Sequence, residues 1–217
     1  MSTQPDPRRP TRLPELASTD RAALDLLLDS ALVGHFGLVA DDGRPVVIPT
    51  AVIRDGDRVL AHGSTGSRWM RMLAGGAPTA LSVTAYDGLI VARSAFESSI
   101  RYRSAVLFGT CTAVTDDKER VLDLVTERLL PGRVAEVRRP TKAELAATLV
   151  LALPIDDWSL KVSDDWPEDG PDDVAGPAWA GVVPLTSSYA APLRAPDLAD
   201  GIAVPPSVLG LSRPSAG

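Results

Sequence analysis

The stretch Gly63-Ser-Thr-Gly-Ser-Arg68 combines the residue types that hold an anion. Its glycines allow close backbone approach, and Ser64, Thr65 and Ser67 offer hydroxyl donors. The loop then runs into a short amphipathic helix whose first N–H groups have no partner within the helix. Arg68 and Arg71, one turn apart, add charge-assisted donors, with Arg68 nearest the helix start. A phosphate suits such a loop; the alternative is a polar loop with solvated arginines. His62, at the end of the strand before it, can donate to a cofactor or substrate, or exchange a proton near neutral pH. A histidine bonded to a backbone carbonyl is the other reading. His35, between Gly34 and Phe36, reads as packed.

Arg101-Tyr-Arg-Ser104 precedes a strand and places alternate residues on opposite faces, so Arg101 and Arg103 share one side while Tyr102 and Ser104 share the other, and one pair faces a groove. Trp179 can stack on a flat ring or fill a core gap. Trp158 and Trp166, near an acidic loop, read as packing anchors, and Cys111 as a small buried hydrophobe. With two histidines and one cysteine, neither a zinc site nor a Ser-His-Asp or Cys-His arrangement is expected. An anion loop with few catalytic side chains suits chemistry carried by a bound cofactor.

The elements that must position these residues are mostly strands. A polar, proline-rich tail over residues 1–14 is expected to be flexible. Ser18 and Thr19 are candidate caps for a helix whose Leu24, Leu27, Leu28 and Leu32 recur as a buried stripe. From Val33 the period becomes that of strands, with Asp-Gly turns at 42–43 and 55–56 separating the first three. Pro49 inside the second strand argues for an edge, a bulge or a ligand-facing backbone. Strands are read over 79–85, 88–95 and 104–114, with Tyr86-Asp-Gly88 as a further tight turn. A helix opens at Asp116 and Asp117 with Val121, Leu124, Val125 and Leu129 on its apolar face. A helical pattern at 141–147 leads to strands at 149–155 and 159–163. Residues 15–163 thus form the main domain. Residues 164–177 form an acidic Pro- and Gly-rich loop, and the rest of 164–217 is an extension packing on the barrel or on a dimer partner. Short strands without a strand-helix rhythm point to an antiparallel barrel rather than a doubly wound sheet.

Composition narrows the function classes. At 217 residues, 45% hydrophobic and 23% charged, the chain can build a sizeable core. A net charge of −6 disfavours broad nucleic-acid binding, although one basic run spans Arg133 to Lys142. The longest apolar run, Leu149 to Ile155, is far shorter than the ~20 residues of a membrane helix. With no leader pattern after Met1, a cytoplasmic protein acting on a small molecule is expected.

The sequence resembles the pyridoxamine 5′-phosphate oxidase-like flavin-nucleotide-binding proteins, in the branch that holds the nitroimidazole-resistance reductases. The motifs occur in the family's order from about Leu13 to Leu209. They are Phe36-Gly-Leu-Val-Ala40, Gly43-Arg-Pro-Val-Val-Ile-Pro49, His62-Gly-Ser-Thr-Gly-Ser-Arg68, Asp87-Gly-Leu-Ile-Val-Ala92, Tyr102-Arg-Ser-Ala-Val-Leu-Phe-Gly109 and Trp179-Ala-Gly-Val-Val-Pro-Leu185. The resemblance implies an antiparallel split β-barrel with flanking helices, forming a homodimer with FMN at the subunit interface. It places the phosphate on His62, Gly63, Ser64, Ser67 and Arg68 and the ring along Pro49, Thr50, Ala51 and Val52. Tyr102, Arg103, Ser104 and Trp179 would reach across from the partner. The anion loop and the ordered motifs together lead to an FMN-dependent oxidoreductase, with His62 as the candidate to polarise the acceptor. Phe96-Glu-Ser-Ser-Ile-Arg-Tyr102 departs from the family's Phe-His-His-Ser-x-Asn-Tyr. That change of polarity leaves a deazaflavin or haem, and a non-catalytic binding or sensing role, as the alternative.

Overall fold

The computed structural model describes residues 14–211; the expected tail, apart from Pro14, lies outside them. In chain order the elements are β1 (Ala17–Ser18), α1 (Arg21–Ser30), β2 (Val33–Val39), β3 (Pro45–Ala51), β4 (Ile53–Asp55), β5 (Arg58–Ser64), α2 (Arg68–Ala74), β6 (Pro78–Val91), β7 (Ser99–Thr110), β8 (Thr112–Ala113), α3 (Lys118–Leu129), α4 (Lys142–Ala147), β9 (Thr148–Pro154), β10 (Asp157–Ser163), α5 (Pro171–Val174), β11 (Gly181–Pro184) and α6 (Pro206–Leu211). The larger sheet runs β1-β10-β7-β6-β2-β3 with β11 also on β6, and the smaller runs β4-β5-β9-β8. Every pairing among the described residues is antiparallel.

Three corners join the two sheets, and a buried apolar residue sits at each. Val52 links β3 to β4, Cys111 links β7 to β8, and Ile155 follows β9 before β10. At the first corner the Val52 N–H donates to the Leu32 carbonyl at 3.1 Å, so the turn inward leaves no orphan donor. The core fills the space between the sheets with Phe36, Leu81, Leu107, Leu151 and Leu153, closed by Leu24, Leu27 and Leu28 of α1 and by Met70 and Leu73 of α2. Val150 and Ala152 point the other way, onto Val121 of α3. Both faces of β9 are therefore buried, which is why Leu149 to Leu153 reads as a continuous apolar run rather than an alternating one.

Several local expectations change. Asp20, not Ser18 or Thr19, caps α1, its carboxylate accepting from the Ala22 N–H at 2.8 Å. Ser18 is drawn instead into the short ladder with β10. Tyr86-Asp-Gly88 is a β-bulge inside one long strand, with Tyr86 opposite Tyr102 and Gly88 opposite Arg101. The extra residue, Asp87, flips the alternation: Leu81 and Val83 face inward before it, and Ile90 and Ala92 after it. Leu129 follows Val121 and Val125 at four-residue spacing but, as the last residue of α3, is 39% exposed.

The long acidic loop is tied down. The Asp169 carboxylate, its side chain fully buried, accepts from the Arg93 backbone N–H and guanidinium at 2.8 and 2.9 Å, and Arg101 donates to the Asp164 carbonyl. β11 then pairs with the far half of β6, beyond the end of β2. A Cβ at Gly88, which sits at φ +148°, would lie 2.4 Å from the Val183 carbonyl oxygen. Only glycine fits there. Gly88→Ala is therefore expected to lift β11 from β6, seen as fast amide exchange at Val183 and Leu185 with the barrel core still protected.

Candidate functional site

The loop after β5 is a built turn rather than an open nest. Its register pairs Ser64 with Thr148, and the Thr65 N–H donates to the Ala147 carbonyl at 2.9 Å. The Gly66 N–H donates to Ser64 Oγ at 3.1 Å and the Ser67 N–H to the Ser64 carbonyl at 3.0 Å. These three N–H groups are engaged within the fold, contrary to a loop that offers its own amides to an anion. Ser67 stands at the N-cap of α2 without a side-chain capping bond. The donors left for a ligand include the hydroxyls of Thr65 and Ser67, the Arg68 guanidinium and the first-turn N–H groups of α2, which no side chain caps.

Arg68 meets Asp41 at 2.8 Å in an ion pair whose side chains are 69% and 72% exposed. So exposed a pair is screened by solvent and adds little to stability, so a phosphate can take the guanidinium at little expense to the fold. Asp41, on the tight turn between β2 and β3, is the partner that the motif reading missed; its Asp-Asp-Gly setting marked the turn, not the ion pair. The basic run read at 133–142 is likewise neutralised. Arg133 pairs with Glu136, Arg138 with Glu144, and Arg139 with Glu119 and Asp123.

His62 lies on β5 opposite Val150. Its Nδ1 is shut off from solvent with no partner, so the backbone-carbonyl reading does not hold for that nitrogen. Burial pushes its pKa below the ordinary 6.5, which keeps the ring neutral. The folded state thus resists a proton that the unfolded chain accepts, so stability falls as the pH drops from 6.5 toward the lower folded value. His62→Gln should flatten the decline in thermal midpoint between about pH 7 and about pH 5.5 relative to the parent chain.

β3 touches β5 across the corner at Val52, where the chain passes from one sheet to the other. Among the described residues β3 pairs with β2 alone, so Pro49 stands on an edge where its missing N–H breaks no ladder. Val52 differs: its side chain belongs to the core. The second group of candidates lies elsewhere on the sheet, since β6 and β2 separate β7 from β3. The register puts Tyr102 and Ser104 on the outer face of the large sheet. Arg103 is on the opposite face, bonded to Asp87 at 2.8 and 2.9 Å. Trp179 is 65% exposed. Two packing expectations fail: Trp166 is 73% exposed and His35 is exposed on β2, while Trp158 does pack on the core. Cys111 is buried as read, and burial pushes its thiol up to about 11.

The family model described as pyridoxamine 5′-phosphate oxidase matches residues 20–162. A solved structure, the FAD and heme binding protein from Mycobacterium smegmatis, is 56% identical, with 91% of this chain and 97% of that one covered and a TM-score of 0.86. The flavocytochrome Anf3 from Azotobacter vinelandii is 32% identical over 95% of this chain and 96% of its own, with a TM-score of 0.87. A putative 5-nitroimidazole antibiotic resistance protein from Bacteroides thetaiotaomicron shares the fold at 18% identity, covering 67% and 86% with a TM-score of 0.58. No curated protein matches the chain. The split barrel, the ordered motifs and a family match across most of the described core lead to one assignment: the chain belongs to the pyridoxamine 5′-phosphate oxidase family.

Proposed function

We propose that this chain is a flavin-nucleotide-binding redox protein that also carries haem. The observation that carries the reading is the 56% identity, spread over 91% of the chain, to a protein that binds FAD and heme. The resemblance alone implied FMN, with haem as an alternative where residues 97–101 depart from the family pattern. The Mycobacterium smegmatis and Azotobacter vinelandii relatives favour a flavin together with haem.

The residues fit such groups. Arg68, Thr65 and Ser67 offer phosphate donors, and the weak Arg68–Asp41 pair is readily exchanged. Pro49, Thr50 and Ala51 offer an edge strand for a flat ring, while Val52 supports it from the core. His62, neutral and unpartnered at Nδ1, leaves its other ring edge to orient a ligand. His35 and His62 are the imidazoles this chain has for iron; Cys111 is buried and held protonated. A bound flavin supplies hydride and electron transfer and a haem supplies one-electron chemistry, while the protein supplies binding and orientation. An oxidoreductase acting on a small molecule follows from that pairing.

A homodimer is part of the reading. Val183, Leu89 and Ile100 stand side by side on three neighbouring strands, with Tyr86 and Tyr102 facing each other one step along, and all but Tyr102 are well exposed. An apolar row of that extent on a sheet face suits a second copy, which would bring Tyr102, Ser104 and Trp179 to the cradle. The test is to titrate cofactor-free protein with FAD and with haemin while following its mass by light scattering. Saturable uptake of both by a dimer supports the reading, and uptake of neither ends it.

A further inference from the structure

Beside the cradle, between the β2–β3 turn and α2, lies a cleft of about 480 Å³. Leu38, Val46, Trp69 and Met72 give it an apolar floor, and Arg44 and Arg68 stand at its rim. Its volume lies within the roughly 300–1,000 Å³ of small-ligand pockets. Arg68 belongs both to this cleft and to the phosphate loop, so the cleft begins where the cradle ends.

The chemistry of the lining is that of an adenine nucleotide. Trp69, fixed by its packing on Phe36 at 5.9 Å, and Met72 supply aromatic and thioether surface for a flat heterocycle. Arg44 can stack or hold a phosphate, and it is bonded to the Asp42 carboxylate at 2.7 and 3.0 Å with its side chain 82% exposed. That exposed pair, like Arg68–Asp41, opens at little cost. Asp42 is then a carboxylate acceptor for ribose hydroxyls, and two guanidiniums match the two phosphates of a dinucleotide.

We propose that this cleft is the adenylyl subsite of a flavin dinucleotide, with the flavin half in the cradle. The inference rests on the flavin reading above. Isothermal titration of the cofactor-free, full-length protein with FAD and with FMN tests it, in the parent chain and in Arg44→Ala and Trp69→Leu. FAD is expected to bind at least about tenfold tighter than FMN, the increment of one good charge-assisted bond. Arg44→Ala, a change at an exposed side chain, is expected to bring the FAD Kd toward that of FMN and leave FMN unmoved. Trp69→Leu should act in the same direction. Equal FAD and FMN affinities in the parent, or equal weakening of both by Arg44→Ala, overturn the subsite while sparing the flavin reading. Binding of neither flavin by the parent overturns the flavin reading itself, and the subsite with it.

Discussion

Replacing Arg68 with alanine is expected to weaken flavin binding by about ten- to a hundredfold, the loss of a hydrogen bond to a charged group. The fold should barely notice. Arg68 is exposed, and its ion pair with Asp41 is an exposed surface pair. A phosphate bound through the guanidinium loses a bidentate partner, whereas the thermal midpoint of the cofactor-free protein stays where it was. Arg68→Lys separates charge from geometry: it keeps the former, loses the planar fork, and should fall between parent and alanine. Asp41→Asn frees the guanidinium and should tighten binding. Fluorescence titration gives all four affinities, and an unchanged Kd in Arg68→Ala would remove the loop from the site.

Phe36→Ala is expected to cost about 3–5 kcal/mol, a large share of the roughly 5–15 kcal/mol that holds a domain of this kind together. Phe36 is 1% exposed at the centre of β2, between β3 and β6, and its ring meets Trp69 of α2 with the planes tilted by 35°. Truncation leaves a cavity in the barrel and loosens the helix that carries Arg68. The lost stability should appear in urea unfolding as a lower midpoint at constant slope, since the surface exposed on unfolding hardly changes. Leu26→Ala, on the same chain but 66% exposed on α1, should stay within about 0.5 kcal/mol of the parent. A loss under 1 kcal/mol for Phe36→Ala would mean that β2 and α2 do not share a close-packed core.

Where the backbone geometry belongs to a few adjacent residues, the sequence was readable. The Asp-Gly turns stand at Gly43 and Gly56 with φ of +80° and +62°, and Pro49 falls on the edge that its missing donor requires. Tyr86-Asp-Gly88 has the composition of a turn, yet the strand opposite supplies partners on both sides of it, and the chain bulges and continues. β11 is four residues long and pairs with a strand some ninety residues earlier, a long-range choice that no local pattern encodes. The site divides in the same way. Residue types and spacing marked His62 to Arg68, but the loop amides turned out to be satisfied by Ser64 and Ala147. Asp41, which competes for Arg68, and the cleft beside Trp69 arise from packing the β2–β3 turn on α2. The resemblance sets Val52 along the ring with Pro49, Thr50 and Ala51, and the corner between the sheets puts its side chain in the core.

The visible absorbance of the freshly purified full-length protein, recorded before and after titration with flavin and haemin, bears most directly on the claim that this barrel is a flavin and haem carrier. The spectrum is expected to show flavin bands together with a Soret band, both growing to saturation on titration in the parent and the flavin bands weakened in Arg68→Ala. A colourless protein that takes up neither group would contradict it.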